Sequence, residues 1–301
     1  MDILVELVRH LTETVVNLHA TVARDHRSVP ILGSERMGSG VVVDPGGLIL
    51  TVNYVVMGAQ NLQVAFMKGR RVRAEIVAQD FDIGLALVRV KRQGLAAAIL
   101  RGEREVERGD PVISIATTGA QERRVAGGLV TYLGEFEAHW EYLLENGIIS
   151  NAANPGFGGG GLFTVGGRLA GIVSLGLNEL IRNSLAIPVD FYREHERELL
   201  RFGRVVSRPR RAWLGVFAQA IEEGIVVAGL VPDGPGDRGG LREGDFLVSL
   251  NAEKLESRRD LYLSLWRHEP GEAMTFEVMR ENTLRRVSVT GGDRAEFFRQ
   301  P

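Results

Sequence analysis

From residue 38 to residue 192 the chain repeats one device: a short run of β-branched or aliphatic residues, then a glycine-rich turn. The runs are VVV at 41–43, LILTV at 48–52, LQVAF at 62–66, IVAQ at 76–79, LALVRV at 85–90, VISIA at 112–116 and LVTYL at 129–133. GIIS at 147–150, GGLF at 160–163, RLAGIVSL at 168–175 and SLAIPV at 184–189 continue the series, with Gly166-Gly167 placed to turn a hairpin. Strands this short and this evenly spaced predict barrels or a sandwich. The 37 glycines fit a mostly β protein with many turns.

Other patterns frame this β region. Ile3, Leu4, Leu7, Val8, Leu11 and Val15 recur at helical spacing, so residues 1–26 read as an amphipathic helix running into a strand. Residues 187–203, IPVDFYREHERELLRFG, read as a helix closing the β region. Residues 134–147 read as a loop with aromatic content (Phe136, Trp140, Tyr142). The stretch 204–212 is basic, with Arg204, Arg208, Arg210 and Arg211, and reads as a solvated linker. At 301 residues the chain is long enough for about two domains.

Composition narrows the functions. A net charge of −2 gives no bulk field for nucleic acid or a membrane surface. The absence of cysteine removes disulfides and any thiol nucleophile. No run of about 20 apolar residues is present to span a bilayer. Asp2 and Glu6 interrupt the N-terminal apolar pattern and no small-residue cleavage site follows, so no signal peptide is read and a cytoplasmic location is expected. A sequence truncated at a replaced export signal would look the same, with a periplasmic or exported protein behind it. No cofactor and no metal are expected.

Three segments carry chemistry: GSGVVVDPGGLILTVNYVV at 38–56, DFDIGLALVRV at 80–90 and NPGFGGGGL at 154–162. In order and character they resemble the three active-site segments of the HtrA family of trypsin-like serine proteases. The family pattern is roughly GSG-(strand)-D-x-x-G-(strand)-T-N-x-H-V-V, D-x-x-x-D-L-A-L-L-(K/R)-V and N-P-G-N-S-G-G-P-L. The resemblance runs from about Val15 to Gly291 and implies a mostly β, chymotrypsin-like double β-barrel. At the family's His, Asp and Ser positions this chain has Tyr54, Gly84 and Gly158. Phe157 stands for the family's Asn, Gly161 for its Pro, and Asn151 for the Asp expected just before the loop.

A serine protease needs a hydroxyl nucleophile, an imidazole to carry its proton and a carboxylate to orient the imidazole. Gly158 offers no nucleophile, Gly84 orients nothing, and a tyrosine with an ordinary pKa of about 10 is a poor base near neutrality. None of the six histidines (His10, His19, His26, His139, His195, His268) falls in the His-bearing segment. These losses predict a pseudoprotease, not an enzyme, with no catalytic residue. The backbone N–H groups of Gly156 and Gly158 remain where the family builds its oxyanion hole. The alternative is a relocated triad, using Asp82 in the shortened loop and Ser39, Ser150 or Ser174 near the site.

From Trp213 onward the chain resembles the PDZ domain of the same family. WLGV at 213–216 matches the carboxylate-binding loop, and GLREGD at 240–245 is the most specific piece. The expected division is therefore a double-barrel domain over 1–203, a linker over 204–212 and a PDZ domain over 213–301. In such a module a peptide adds a strand beside residues 215–220, and the N–H groups of Leu214, Gly215 and Val216 cradle its terminal carboxylate. Phe217, Leu261 and Leu265 complete the expected peptide-binding set, the two leucines being one helical turn apart. Alternatively these leucines are core and the groove is blocked within the molecule.

The function expected is a binding or scaffold protein whose partner is a protein or peptide presenting a C-terminus or an extended strand. A homo- or hetero-oligomer with an HtrA-type protease is compatible with this. Relatives trimerise through N-terminal aromatic residues, and here none precedes Tyr54. The alternatives are an active serine endopeptidase with a relocated triad, or a structural subunit of a larger assembly.

Overall fold

The computed structural model describes residues 2–67, 69, 71–100, 106–177 and 183–299. They divide into two compact units, one of Met1–Glu135 with Glu145–Val206, the other of Phe136–Leu144 with Ser207–Pro301.

The first unit contains two closed six-stranded barrels. Helix α1 (Asp2–Thr14) leads into β1 (Val15–Val22), and a single turn α2 (Val29–Leu32) precedes β2 (Glu35–Asp44) and β3 (Leu48–Val52). The β2–β3 turn is shaped by Asp44, whose Oδ1 accepts from Gly46 N at 2.7 Å. A second short helix, α3 (Asn53–Val56), is followed by β4 (Ala59–Ala65), β5 (Val72–Gln79) and β6 (Leu85–Val90). The barrel order is β1-β2-β3-β6-β5-β4. All five residues of β3 are buried, as expected of a strand enclosed on both faces.

The second barrel runs through β7 (Pro111–Thr117), β8 (Arg123–Ala138), β9 (Tyr142–Ser150), β10 (Gly160–Thr164), β11 (Leu169–Leu177) and β12 (Asn183–Pro188). It closes in the order β10-β11-β12-β9-β8-β7 around Val112, Val130, Ile148, Leu162 and Val173. Helix α4 (Asp190–Phe202) follows, ended by Gly203 in the left-handed conformation. The expected loop over 134–147 is instead a hairpin: β8 and β9 extend to a three-residue turn at 139–141, and its tip belongs to the second unit.

The second unit is built on a sheet of β13 (Val216–Ile221), β14 (Gly224–Leu230), β15 (Phe246–Leu250), β16 (Glu253–Lys254), β17 (Ala273–Arg280) and β18 (Thr283–Thr290). The order β13-β14-β15-β17-β18 leaves β13 at an edge. Three helices accompany it: α5 (Pro235–Gly239), α6 (Arg258–Leu265) and α7 (Arg294–Arg299). A reciprocal cap starts α6, the Ser257 hydroxyl accepting from Asp260 N and the Asp260 carboxylate from Ser257 N. The basic stretch is not a solvated linker throughout: Arg210 pairs with Asp293 at 2.6 Å and Glu296 at 2.7 Å, and Arg211 stacks 4.6 Å over Trp266.

Candidate functional site

Two sites stand out, one in each unit. In the first, Tyr54 lies on α3 directly after β3, and Asn53 N donates to Gly84 O at 2.7 Å. Arg36 ties the end of α3 to the caps of α2, its guanidinium donating to Tyr54 O at 3.1 Å, Met57 O at 2.7 Å, Gly33 O at 3.0 Å and Ser28 Oγ at 2.6 Å. Burial pulls this guanidinium down to about 10. The Tyr54 hydroxyl donates to Ser174 O at 2.8 Å, and burial of the phenol pushes it up to about 12. It therefore holds its proton at any physiological pH and acts as a fixed donor.

Opposite this phenol runs the loop 154–159. A β-carbon added to Gly158 would lie 1.9 Å from the Tyr54 hydroxyl oxygen and 3.0 Å from Ser174 O. Tyrosine at 54 and glycine at 158 are thus one arrangement: the phenol fills the space a side chain at 158 would need. The loop is pinned along its length. Phe157 N donates to Thr117 O at 2.8 Å, Gly159 N to Val173 O at 2.7 Å, and Gly158 O accepts from Ser39 N at 2.7 Å. Gly156 N, expected to help form an oxyanion hole, donates to Asn154 Oδ1 at 3.2 Å. That donor is spent in a local turn.

The remaining candidates are placed as follows. Gly84 has a φ of 80°, a conformation that glycine adopts freely and a β-carbon resists. Asp82 sits in the turn before it, its N–H donating to the buried Asp80 Oδ1 at 3.0 Å. Ser39 is fully buried, and its hydroxyl donates to Phe157 O at 2.8 Å while accepting from Thr117 N at 2.9 Å. Ser150 is fully buried and Ser174 half-buried. His26 is buried against Ser28, with Nδ1 2.7 Å from its Oγ. Positions 54, 84 and 158 thus hold a phenol and two glycines.

The second site is the loop leading into β13. Its three amides converge on a single carboxylate, that of Glu141: Leu214 N donates to Oε2 at 3.0 Å, Gly215 N to Oε1 at 2.6 Å and Val216 N to Oε1 at 2.9 Å. Glu141 is buried, with a φ of 55°. For a residue with a β-carbon that conformation costs about 1–2 kcal/mol. Burial pushes its carboxyl up, opposed by the three amides and the Arg294 charge. Beyond it, Ala218 N on the free edge of β13 donates to His139 O at 2.7 Å.

Side chains complete the hold. The Tyr262 hydroxyl donates to Ala138 O at 2.5 Å and accepts from Glu141 N at 3.2 Å. Arg294 donates to Glu141 O at 3.2 Å and Trp140 O at 3.4 Å. Arg258 pairs with Glu137 at 2.9 Å. Leu143 joins the core cluster that contains Leu214, Val216, Leu261 and Leu265. Leu261 and Leu265 are fully buried there, and Phe217 is half-buried, 5.8 Å from the His139 ring. Sequence reasoning did not single out Glu141, Tyr262, Arg258 or Arg294. The one signal was the aromatic character of the segment that carries Glu141.

Residues 38–172 match the family model of the trypsin-like peptidase domain, and residues 212–290 that of the PDZ domain. The chain is 29% identical over 280 residues to a probable periplasmic serine endoprotease DegP-like of Halomonas elongata, covering 85% of the chain and 56% of the relative. It is 26% identical over 296 residues to the serine endoprotease DegS of Haemophilus influenzae, covering 94% of the chain and 85% of the relative. A solved structure described as the HtrA-type protease AlgW with tripeptide superposes with a TM-score of 0.59 at 26% identity, covering 97% of each chain. The chain is similar to HtrA-type proteases over nearly its whole length. It combines a trypsin-like barrel domain with a PDZ domain, and it spans just over half the length of the DegP-like relative.

Two expectations are corrected by these matches. The chain was expected not to be an enzyme, but the HtrA-type relatives it aligns with are named serine endoproteases. The residues at 54, 84 and 158 show what fills those positions. The chain was also expected to be cytoplasmic, whereas the DegP-like relative is named periplasmic. Among the described residues no helix is long and apolar enough to cross a membrane.

Proposed function

We propose that this HtrA-type protein works in the periplasm and holds polypeptide segments through its PDZ domain. One observation carries the reading: Leu214, Gly215 and Val216 aim three amides at one carboxylate, beside a sheet edge whose Ala218 N donates to the backbone of His139. This is the chemistry of strand addition with carboxylate capture. The solved neighbour described with a tripeptide supports it, as does the periplasmic name of the DegP-like relative. The test is binding of decapeptides to the full chain, each as free acid and as amide. Binding that needs the free acid is expected; equal binding of both forms would remove the carboxylate from the account.

Peptide-bond hydrolysis is a second reading, favoured by the names of the relatives. Its nucleophile has to be a hydroxyl other than residue 158, and Ser174 is the least buried of the three serines near the site. Labelling the full chain with a fluorophosphonate and mapping the modified residue tests this. A label on one serine supports the reading, and a chain left unlabelled removes it.

A further inference from the structure

The geometry points to a groove already holding a ligand: the chain's own residues 137–143, with the Glu141 side chain standing in for a terminal carboxylate, so that a free polypeptide C-terminus binds only by displacing it. This rests on the peptide-binding reading above and names the regulation of that same site.

The argument is one of donors and direction. Glu141 takes all three loop amides, at 3.0, 2.6 and 2.9 Å, and leaves none for a second carboxylate. The two occupants are mutually exclusive. The tip follows the β13 edge, His139 O accepting from Ala218 N and the Glu141 side chain reaching the loop at Val216. At Glu141 the chain does what a chain end need not: a φ of 55° turns the backbone away into β9, so only the side chain enters the loop. The apolar floor of Leu214, Leu261 and Leu265 is met by Leu143. The competitor that fits is therefore an extended chain end with a free carboxylate and an apolar last residue.

A tethered occupant competes at an effective concentration on the order of millimolar. A free peptide then binds with its intrinsic affinity reduced by the fraction of time the groove stands open. Weakening the tip should raise apparent affinity without adding a contact.

The experiment uses the full chain and fluorescein-labelled decapeptides ending in Val, Leu or Phe, each as free acid and as amide. Glu141→Gln keeps the size but turns an NH2 group toward amide donors; Glu141→Ala removes the group. Both variants should bind the free acids at least about tenfold more tightly than the unmodified chain, with amides bound by none. Arg258→Ala loosens the tip at Glu137 without touching the loop and should shift affinity the same way by less. Equal affinity in the unmodified chain and all variants would overturn occupancy in cis and leave the peptide-binding reading standing. No free acid bound by any of them would overturn both.

Discussion

At residue 158 the chain has no side chain and a phenol takes the space; at residues 214–216 three loop amides are met by a carboxylate of the same chain. Both sites are filled from within, and the means differ. Tyr54 and Gly158 are matched by volume: a β-carbon at 158 meets the phenol at 1.9 Å. Nothing can be added there unless Tyr54 moves. Glu141 is matched by hydrogen bonds of the kind any carboxylate can make. Space-filling is a property of the pair and is lost by adding atoms. An occupancy made of hydrogen bonds should instead be exchangeable, and lost by competition.

The largest effect should come from breaking the volume match. Gly158→Ser is expected to destabilise the first unit by about 2–3 kcal/mol, because the phenol must leave its place against Ser174 O. Combined with Tyr54→Ala it should recover at least about 1 kcal/mol, a coupling that urea denaturation of the four chains in a double-mutant cycle measures. Additive losses would mean the two positions are independent.

Next is the carboxylate. Glu141→Ala leaves three amides without their acceptor and should lower the stability of the second unit by about 2 kcal/mol. Thermal unfolding measures the loss, and a saturating free-acid peptide should restore it, which no peptide can do for Gly158→Ser. That asymmetry is the sharpest form of the comparison.

A smaller effect separates the phenol's hydrogen bond from its volume. Tyr54→Phe keeps the ring, loses the bond to Ser174 O and should cost about 1 kcal/mol at neutral pH. The phenol's folded value lies near 12 against an ordinary 10.0. Its contribution is therefore complete below pH 10 and lost as pH rises from 10 to 12. The stability difference between the unmodified chain and Tyr54→Phe, followed by urea denaturation across that window, should shrink as pH rises; a constant difference would contradict the burial of the hydroxyl.

The smallest effect is at the partly exposed pair of Arg258 and Glu137. Arg258→Ala should change the stability of the second unit by about 0.5–1 kcal/mol, checked by thermal unfolding.

Much of the fold could be read from local pattern. Runs such as LILTV and LALVRV became β3 and β6 because short aliphatic stretches between turns have few other ways to be buried. The PDZ domain was legible because WLGV and GLREGD are local strings. Glu141 was not, because its partners lie 73 to 75 residues away and a glutamate is rarely buried. Its segment reads as a loop with aromatic content until the loop amides are placed around it. The meaning of Gly158 was hidden for the same reason: it reads as a loss, and only the position of the Tyr54 hydroxyl shows that the glycine is required. For Leu261 and Leu265, spacing gives the shared helix face but not whether that face meets a ligand or the core.

The central claim is that the chain's own carboxylate fills its PDZ loop. The most direct measurement is amide hydrogen exchange at Leu214, Gly215 and Val216 in the full chain without peptide, compared with Glu141→Gln. Slow exchange in the unmodified chain, accelerated in the variant and slowed again by a free-acid peptide, is the predicted result. Equally fast exchange at all three amides in both chains would contradict it.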